Sequence, residues 1–567
     1  MAGHPWDSSY PKDVDWGADI PVKPLYALFD DALARFADRP CLDFLGKKYT
    51  YAEVGRMIDR AATGFQKLGV KKGTKVGLFL PNCPQFVVSF YGILKAGGTV
   101  VNYSPLYAEP ELLHQIEDSH TDMMVTLNLQ VLYPKMRSLL AKSRLTKLIV
   151  GTLPDVLPFP KNLLYPLAKS KDVAKVPTDV EHIPFRELLN NDGAFQPADI
   201  DPAEDVAVLQ YTGGTTGVSK GAMLTHANLY ANTMQATLWF ADLEYGQERM
   251  MGVLPFFHIF ALTVVMNQSI HIGGEIIIHP RFELVPVLKD ISAKKPTIMP
   301  GVPTMYTAIN NYPELSKYDL SSIKVCLSGG APLPLEVKQN FERLSGCKLV
   351  EGYGLTETAP IATCNPMDGV TKKSSIGVPA PGTIIEITDR EDPHKVLPLG
   401  ERGEICVTGP QVMKGYWGRE EATAVALADG RLHTGDIGYM DEDGFIFIVD
   451  RIKDLVLVGG FNVYPRNVED GIYQHDAVAE VTVIGIPDDY TGQAVKAFVK
   501  LKDGGALSTE ELHEFLKDVI GKHELPKAEN IEFRAELPKT MVGKLSKKEL
   551  VEEEQKKYDA RKPQAAE

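Results

Sequence analysis

A loop rich in glycine and threonine, closed by a lysine, offers chemistry suited to phosphate. It reads Tyr211-Thr-Gly-Gly-Thr-Thr-Gly-Val-Ser-Lys220-Gly and follows an apolar strand predicted at 206–210. Small residues let backbone N–H groups approach phosphate oxygens, and the lysine adds positive charge. A Walker A motif needs Gly-Lys at its sixth and seventh positions, where this loop has Val-Ser or Ser-Lys. The sequence therefore predicts a phosphate-binding loop of another kind.

Four further blocks follow this loop along the chain. They are Leu254-Pro-Phe-Phe-His258-Ile-Phe, Glu351-Gly-Tyr-Gly-Leu-Thr-Glu357-Thr, His433-Thr-Gly-Asp436 leading to Asp450-Arg451-Ile-Lys453-Asp454, and Pro538-Lys-Thr-Met-Val-Gly-Lys544. Each block alone has an ordinary structural explanation, such as a packed histidine, a turn or an exposed lysine. Together and in this order, the five blocks resemble the AMP-forming acyl-adenylate superfamily of acyl-CoA synthetases, luciferases and peptide-synthetase adenylation domains. The segments 254–262 and 456–465 are most similar to bacterial long-chain fatty-acid–CoA ligases.

The resemblance implies an ATP-dependent fatty-acid–CoA ligase. In that chemistry, a medium- or long-chain carboxylate attacks the α-phosphate of ATP, forms an acyl-AMP and releases pyrophosphate. The thiol of coenzyme A, the co-substrate, then displaces AMP. The first step concentrates negative charge, so it requires Mg²⁺ and cationic side chains whose help is mostly electrostatic.

The resemblance also implies a role for each matching residue. Lys544 would bridge the carboxylate and the α-phosphate, Glu357 would hold Mg²⁺ with Thr212, and His258 would lie where the acyl chain meets the carboxylate. The ATP-binding residues it implies are Thr212, Gly213, Gly214, Thr215, Thr216, Gly217, Lys220, Gly329, Gly330, Ala331, Glu351, Gly352, Tyr353, Gly354, Thr356, Asp436 and Arg451. Among these, Tyr353 would stack on adenine and Asp436 would accept the ribose hydroxyls. The acyl-binding residues it implies are Tyr211, His258, Phe260 and Leu262; the CoA-binding residues are Gly459, Gly460 and Phe461; the hinge is Lys453.

The elements that must position these residues alternate between strand and helix. Helices are predicted at about 52–68 and 84–95, and strands at 75–80 and 99–102. This is a βαβ pattern, which implies a parallel sheet with helices packed against it. The predicted fold class is α/β, with a large N-terminal body of layered αβ subdomains and a small mobile α+β C-terminal domain.

The sequence changes character near Arg451. A helix there opens with Ser508 and Glu511 at capping-box spacing, and its apolar residues fall on one face. The predicted domains are an AMP-binding (adenylation) domain at 1–450, a mobile catalytic domain at 451–552 and a flexible tail at 553–567. The resemblance implies that the mobile domain presents Lys544 for adenylation and then Gly459 and Gly460 for thioester formation.

Composition limits the partners and the compartment. The 567 residues include 74 acidic and 60 basic side chains, a net charge of −14, which argues against nucleic acid as a partner. The six cysteines form no C-x-x-C pair, and the apolar run 251–266 is too short to span a bilayer, so a cytoplasmic protein is expected. Residues 131–175 contain nine Lys or Arg against two Asp. This stretch is either a solvated basic face or a surface for peripheral contact with anionic phospholipid on the inner face of the membrane.

Several alternatives stay open at this stage. A ligase for a dicarboxylic or aryl acid, another carboxylate-adenylating domain and a luciferase-like oxygenase share the first half-reaction. An inactive lipid-binding, membrane-associated protein is the non-enzyme alternative, and the presence of Lys544, Glu357, Asp436 and Arg451 argues against it. Acyl-chain length is not predicted, because an apolar tunnel cannot be told from core by sequence. A homodimer is compatible with the sequence.

Overall fold

The computed structural model describes residues 3–212, 219–240, 242–458, 461–488, 490–502, 504–539 and 545–561. They divide into two compact units. The first unit takes the described residues within 3–212, 219–384 and 407–432; the second takes those within 385–406 and 433–561. Residues 433–450 therefore group with the C-terminal part of the chain, and the domain boundaries drawn from the sequence stay a prediction.

The strands of the described residues are numbered in chain order. The first are β1 (Pro40–Phe44), β2 (Lys47–Thr50), β3 (Lys75–Leu78), β4 (Thr99–Asn102), β5 (Met123–Leu127), β6 (Lys147–Gly151), β7 (His182–Pro184), β8 (Val206–Thr212), β9 (Lys220–Thr225), β10 (Arg249–Gly252), β11 (Glu275–Ile278) and β12 (Val325–Ser328). The others are β13 (Lys348–Gly354), β14 (Ile361–Cys364), β15 (Val378–Pro379), β16 (Ile384–Thr388), β17 (Gly403–Thr408), β18 (Gly415–Tyr416), β19 (Leu432–Met440), β20 (Ile446–Arg451), β21 (Val456–Val458), β22 (Phe461–Val463), β23 (Val478–Asp488), β24 (Gly492–Leu501) and β25 (Ile531–Phe533).

The α-helices are numbered in the same way. Those of the first unit are α1 (Ala27–Phe36), α2 (Tyr51–Lys67), α3 (Pro84–Lys95), α4 (Glu109–Ser119), α5 (Tyr133–Leu140), α6 (Lys161–Ala168), α7 (Phe185–Leu188), α8 (His226–Trp239), α9 (Ile259–Ala261), α10 (Gln268–His271), α11 (Leu284–Lys294), α12 (Pro303–Asn310), α13 (Leu335–Ser345) and α14 (Glu420–Ala426). Those of the second unit are α15 (Pro465–Tyr473), α16 (Thr509–Lys517) and α17 (Lys547–Arg561).

A parallel sheet forms the centre of the first unit. Its eight strands run in the order β18-β9-β8-β4-β3-β5-β6-β7, and every neighbouring pair from β8 to β7 is parallel. Helix α2 begins with a capping box between Thr50 and Glu53, and α3 is buried along its whole length. The predicted βαβ pattern and the α/β fold class are confirmed.

Two four-stranded sheets complete the strands of this unit. One has the order β10-β11-β1-β2 and the other β12-β13-β14-β15. In the second of these, β12 and β13 are parallel neighbours, with Ser328 opposite Glu351 at their carboxyl ends. Ligands of open α/β sheets commonly bind beyond such ends.

The second unit is built on two smaller sheets. One has the order β16-β17-β19-β20; the other has the order β22-β21-β24-β23, with β25 paired to β24. Helices α15 and α16 cover the second sheet, where Val468, Ile472, Leu512 and Leu516 join its buried core. Ser508 caps α16 in a capping box with Glu511. The predicted α+β character of this part of the chain is confirmed.

The segment predicted as a flexible tail from residue 553 is helical as far as Arg561, so that prediction is wrong for residues 553–561. Ion pairs explain the difference, because Glu553 lies 2.7 Å from Arg534 and Glu554 lies 2.8 Å from Lys496. Leu550, one turn earlier in α17, is buried. These charged residues therefore anchor the helix to β24 and to Arg534, just after β25, instead of leaving the chain in solvent.

All six cysteines are buried, and none is disulfide-bonded within the part of the chain that the structure describes. Among the described residues, no helix has the length and apolar character needed to cross a bilayer.

Candidate functional site

An antiparallel hairpin carries the two ends of the predicted phosphate loop. Strand β8 runs into β9, and the last pair of residues in register is Thr212 with Lys220. The predicted phosphate-binding residues between Thr212 and Lys220 lie outside the described residues; they are Gly213, Gly214, Thr215, Thr216 and Gly217. The predicted residues Gly459, Gly460 and Lys544 also lie outside them.

Glu357 lies in a 3₁₀ turn, Thr356–Thr358, that contacts β8 and β9. The Tyr416 hydroxyl donates a 2.7 Å hydrogen bond to Glu357 Oε1, and the Met413 N–H donates to the Glu357 carbonyl at 2.8 Å. Tyr416 belongs to β18, where it pairs with Ala222 of β9. Tyr416 of strand β18 thus fixes the side chain of the glutamate, and Met413, just before that strand, fixes its backbone.

Lys220 completes this cluster. Its Nζ lies 5.0 Å from the centroid of the Tyr416 ring, a distance typical of a cation–π contact. Burial raises the pKa of Tyr416 far above its usual range, and the charge of Glu357 raises that pKa further. The phenol therefore stays neutral and keeps donating to the carboxylate. Tyr416 is absent from the sequence predictions; its only signal is a Gly-Tyr-Trp segment at 415–417 that belongs to no recognised block.

The donor set near Glu357 suits a hard cation. With Tyr416 bonded to Oε1, the carboxylate can still present Oε2, and Thr212 ends the strand against which the glutamate turn packs. Carboxylate and hydroxyl oxygens, completed by phosphate oxygens, are ligands that Mg²⁺ accepts. These two residues therefore fit the ion that ATP chemistry requires.

Two glycine-rich segments follow the carboxyl ends of β12 and β13. Gly330 has a φ of +84°, and a Cβ on Gly354 would lie 1.8 Å from the Pro360 carbonyl oxygen, so both positions require glycine. Because the two strands are parallel neighbours, Gly329, Gly330 and Ala331 come next to Glu351, Gly352, Tyr353 and Gly354. The structure brings together the residues predicted to flank adenine; their contact with adenine stays a prediction.

His258 is held at the start of a short helix. Its Nδ1 accepts a 3.3 Å hydrogen bond from the Phe260 N–H at the N-terminus of α9. The Gln210 side chain donates to the Phe257 carbonyl at 2.9 Å, and Asn82 donates to the Leu254 carbonyl at 2.7 Å. Asn82 also accepts from the Phe256 N–H at 2.7 Å. Gln210 of strand β8 and Asn82, which no motif identified, thus fix the backbone that leads into His258.

The residues predicted to bind the acyl chain have different surroundings. A Cβ on Gly329 would lie 3.2 Å from the Phe260 ring, so Phe260 borders the predicted adenine segment. Leu262 is fully buried in a π-helical turn, Leu262–Asn267. The Tyr211 hydroxyl donates a 2.6 Å hydrogen bond to Asp118, which also pairs with Arg419. This contact favours a structural role for Tyr211 over the predicted acyl contact.

In the second unit, Asp436 and Arg451 face each other across β19 and β20. They are register partners, and Arg451 Nε lies 2.9 Å from Asp436 Oδ1. The Asp436 side chain is only 3% exposed, whereas that of Arg451 is 43% exposed. The pair holds one carboxylate oxygen in place at the edge where the predicted ribose contact would form.

Glu404 holds the turn that precedes Asp436. Its Oε1 accepts from the Gly435 N–H at 2.8 Å, and its Oε2 lies 2.9 Å from His433 Nδ1. Thr434 donates to the Ile405 carbonyl at 2.7 Å and accepts from the Asp436 N–H at 3.0 Å. Gly435 has a φ of +72°, which a side chain would disfavour. Glu404, in the neighbouring β17, was not identified by sequence reasoning.

The predicted hinge lies beside a buried charge cluster. Lys453 is exposed in the 3₁₀ turn Ile452–Asp454. Next to this turn, Asp450 accepts from the Arg451 and Arg466 N–H groups at 2.7 and 3.0 Å. Burial raises the pKa of Asp450 to about 6, against the opposing charge of Lys547. Lys547 in turn lies 3.2 Å from Glu469, so α15 and α17 share the cluster.

Phe461 opens β22 directly after the two undescribed glycines. It is the register partner of Val458 in β21, and its ring is exposed and lies 5.7 Å from that of His523. An exposed ring at this position suits contact with a ligand; its predicted contact with CoA stays a prediction.

Comparisons with known proteins extend this description to the whole chain. The profile of the AMP-binding enzyme family matches residues 29–417, and that of the AMP-binding enzyme C-terminal domain matches residues 467–544. A long-chain-fatty-acid–CoA ligase of Bacillus subtilis is 46% identical over 97% of this chain and 98% of its own. A long-chain-fatty-acid–CoA ligase of Salmonella typhimurium is 40% identical over 98% of this chain and 99% of its own. The crystal structure of ATP-bound MatB from Rhodopseudomonas palustris, 29% identical, covers 94% of this chain and 100% of its own, with a TM-score of 0.82.

Proposed function

The chain belongs to the AMP-binding enzyme family, and we propose that it is an ATP-dependent fatty-acid–CoA ligase. It activates a medium- or long-chain carboxylic acid as acyl-AMP, releases pyrophosphate and transfers the acyl group to CoA. The observation that carries this proposal is the full-length similarity to long-chain-fatty-acid–CoA ligases, at 46 and 40% identity. The cluster around Glu357 and the Asp436–Arg451 pair supply polar groups in keeping with ATP chemistry.

For adenylation, the chain must reduce repulsion between a carboxylate and a triphosphate. Glu357 and Thr212 would hold Mg²⁺, which neutralises phosphate charge when bound. Lys220 adds a cation at the end of the β8–β9 hairpin, where the phosphate loop begins and ends. Lys544 supplies the charge that bridges the attacking carboxylate and the α-phosphate. His258, held by its N-terminal contact in α9, orients the carboxylate.

Nucleotide recognition is assigned to two sets of groups. In the first unit, Tyr353 stacks on adenine, with Gly329 and Gly330 on the opposite side. In the second unit, Asp436 accepts the ribose hydroxyls while Arg451 fixes its carboxylate. A single carboxylate can accept from two hydroxyls because it has two oxygens and several lone pairs.

Thioester formation needs a second arrangement of the catalytic groups. Gly459 and Gly460 leave room for the pantetheine arm, Phe461 contacts CoA, and Lys453 is the hinge. Lys544 serves only the first half-reaction. We also propose that the protein is cytoplasmic and makes peripheral contact with anionic membrane through residues 131–175. It can form a homodimer.

Substrate class is tested by AMP and pyrophosphate release with CoA present. The panel should contain saturated monoacids from butyrate to stearate, diacids from adipate to sebacate, and benzoate. We expect the highest kcat/KM for a medium- or long-chain monoacid. A preference for a diacid or benzoate would replace the fatty acid in the proposal, and absence of any acid-dependent AMP release would support an inactive lipid-binding protein instead.

A further inference from the structure

Helix α6 carries its apolar residues on its solvent side. Phe159, Leu163, Leu164 and Leu167 are 79, 62, 55 and 79% exposed. Leu163 and Leu167 are one turn apart, and Leu164 lies beside them, so they form one stripe continued by Phe159 just before the helix. A surface helix normally turns such a stripe toward the core. Contiguous exposed apolar surface of this kind marks an interaction site.

The opposite side of α6 attaches it to the first unit. Asn162 and Tyr165 are partly buried, and burial, with the charge of Asp172 second, raises the pKa of Tyr165. Lys161 Nζ donates to the Leu45 carbonyl at 3.1 Å. These contacts fix the orientation of the helix, so the outward stripe is part of the fold.

Exposed lysines lie close to the stripe along the chain. Between residues 159 and 175 there are four of them, Lys161, Lys169, Lys171 and Lys175, against a single acid, Asp172. All four are exposed, and Asp172 lies 3.7 Å from Lys169. This local excess of positive charge contrasts with a net charge of −14 for the chain. Lysine side chains can extend along an apolar surface and place their ammonium groups at the level of lipid headgroups.

We infer that the outward face of α6, with Phe159, docks on a bilayer that contains anionic phospholipid. An exposed apolar stripe with several exposed lysines close to it in the sequence is typical of a helix that lies in the membrane interface. Charge favours lipid over a second copy of the chain, because two such faces would bring lysines together, whereas anionic headgroups neutralise them. Within residues 131–175, the outward face of α6 is thus the part that contacts the membrane. This docking does not depend on the ligase reaction.

The test is flotation of the full-length protein with vesicles. One vesicle contains equal parts of phosphatidylcholine and phosphatidylglycerol, and the other contains phosphatidylcholine alone. The double variant Leu163→Glu/Leu167→Glu removes the stripe. The matched control is Val425→Glu, since Val425 is also exposed, at 76%, on α14 of the same unit. We expect wild type and V425E to float with the anionic vesicles and the double variant to bind at least about tenfold more weakly.

Two further measurements separate the explanations. Lys171→Glu should weaken binding to the anionic vesicles, and turnover of octanoate without vesicles should be unchanged in the double variant. Equal vesicle binding by the double variant and wild type would overturn the inference, as would no binding by wild type. A wild-type dimer that the double variant converts to monomer would assign the face to a second copy. Absence of turnover by wild type with every acid of the panel would contradict the ligase proposal alone.

Discussion

The Tyr416 hydroxyl donates a 2.7 Å hydrogen bond to Glu357 Oε1, and Lys220 Nζ lies over the same phenol ring, 5.0 Å from its centroid. The phenol therefore couples the proposed metal ligand to a cation at the end of the phosphate hairpin. A hydrogen bond to a charged group contributes about 1.5–3 kcal/mol, and its loss would let the carboxylate rotate.

The first prediction concerns this bond. Tyr416→Phe removes the donor and keeps the ring, so we expect acid-dependent pyrophosphate release to fall about tenfold and the Mg²⁺ concentration at half-maximal rate to rise. The measurement is a Mg²⁺ titration at saturating acid. Tyr439→Phe is the matched control, because Tyr439 stacks on Phe447 in the second unit. An unchanged Mg²⁺ dependence in Y416F would show that Glu357 does not depend on Tyr416.

The second prediction concerns Glu404, a positioning residue for Asp436. Glu404→Ala removes the acceptor of the Gly435 N–H and the partner of His433. We expect KM for ATP to rise about tenfold with a smaller change in kcat, because the turn before Asp436 loosens. Glu404→Gln keeps one acceptor oxygen and should recover most of the loss. Equal defects in the Ala and Gln variants, or a fall in kcat alone, would contradict this role.

Features that involve residues close in the sequence could be predicted, whereas contacts between distant residues could not. The capping box of Ser508 and Glu511 involves residues three apart, so the start of α16 could be predicted. Glu357 and Tyr416 are 59 residues apart, and they meet only because β18 adds to the edge of β9. No periodicity specifies that pairing.

Helix α6 shows a second limit. The spacing of Leu163 and Leu167 places both on one face of a helix once the helix is known, but spacing alone cannot say which side faces solvent. The structure turns that stripe outward. Similarly, charged composition predicted a tail after residue 552, whereas ion pairs with Arg534 and Lys496 hold α17 in place. Tertiary partners decided both outcomes.

The third prediction separates the two half-reactions. Lys544→Ala should abolish acid-dependent pyrophosphate release and leave thioester formation from supplied acyl-AMP intact, because the lysine acts only on the carboxylate and the α-phosphate. Gly460→Leu should do the reverse, since a side chain there would obstruct the thiol. Pyrophosphate release and acyl-AMP consumption measure the two steps. Equal loss of both steps in K544A would contradict the assignment of two arrangements, and unchanged CoA turnover in G460L would place the pantetheine path elsewhere.

The fourth prediction concerns pH and Asp450. Burial raises the pKa of this carboxyl from 3.8 to about 6 in the folded protein. The folded state therefore binds more protons than the unfolded state between about pH 4 and 6. Protonated Asp450 contributes fully to the free energy of unfolding below the unfolded pKa of 3.8. This contribution is lost as the pH rises through the folded pKa of about 6. The loss amounts to about 3 kcal/mol in the free energy of unfolding.

Asp450→Asn removes this titration and keeps an acceptor for the Arg451 and Arg466 N–H groups. The free energy of unfolding of the variant minus that of wild type should thus increase by about 2.4 kcal/mol from pH 4 to pH 7, because only wild type loses the contribution of Asp450 across this range. Calorimetry of the full-length proteins at matched pH measures this difference. Asp476→Asn, at an exposed carboxylate of the same unit, is the control and should give a nearly constant difference. A constant difference for D450N would show that Asp450 ionises with an ordinary pKa, and that the cluster with Lys547 compensates fully for its burial.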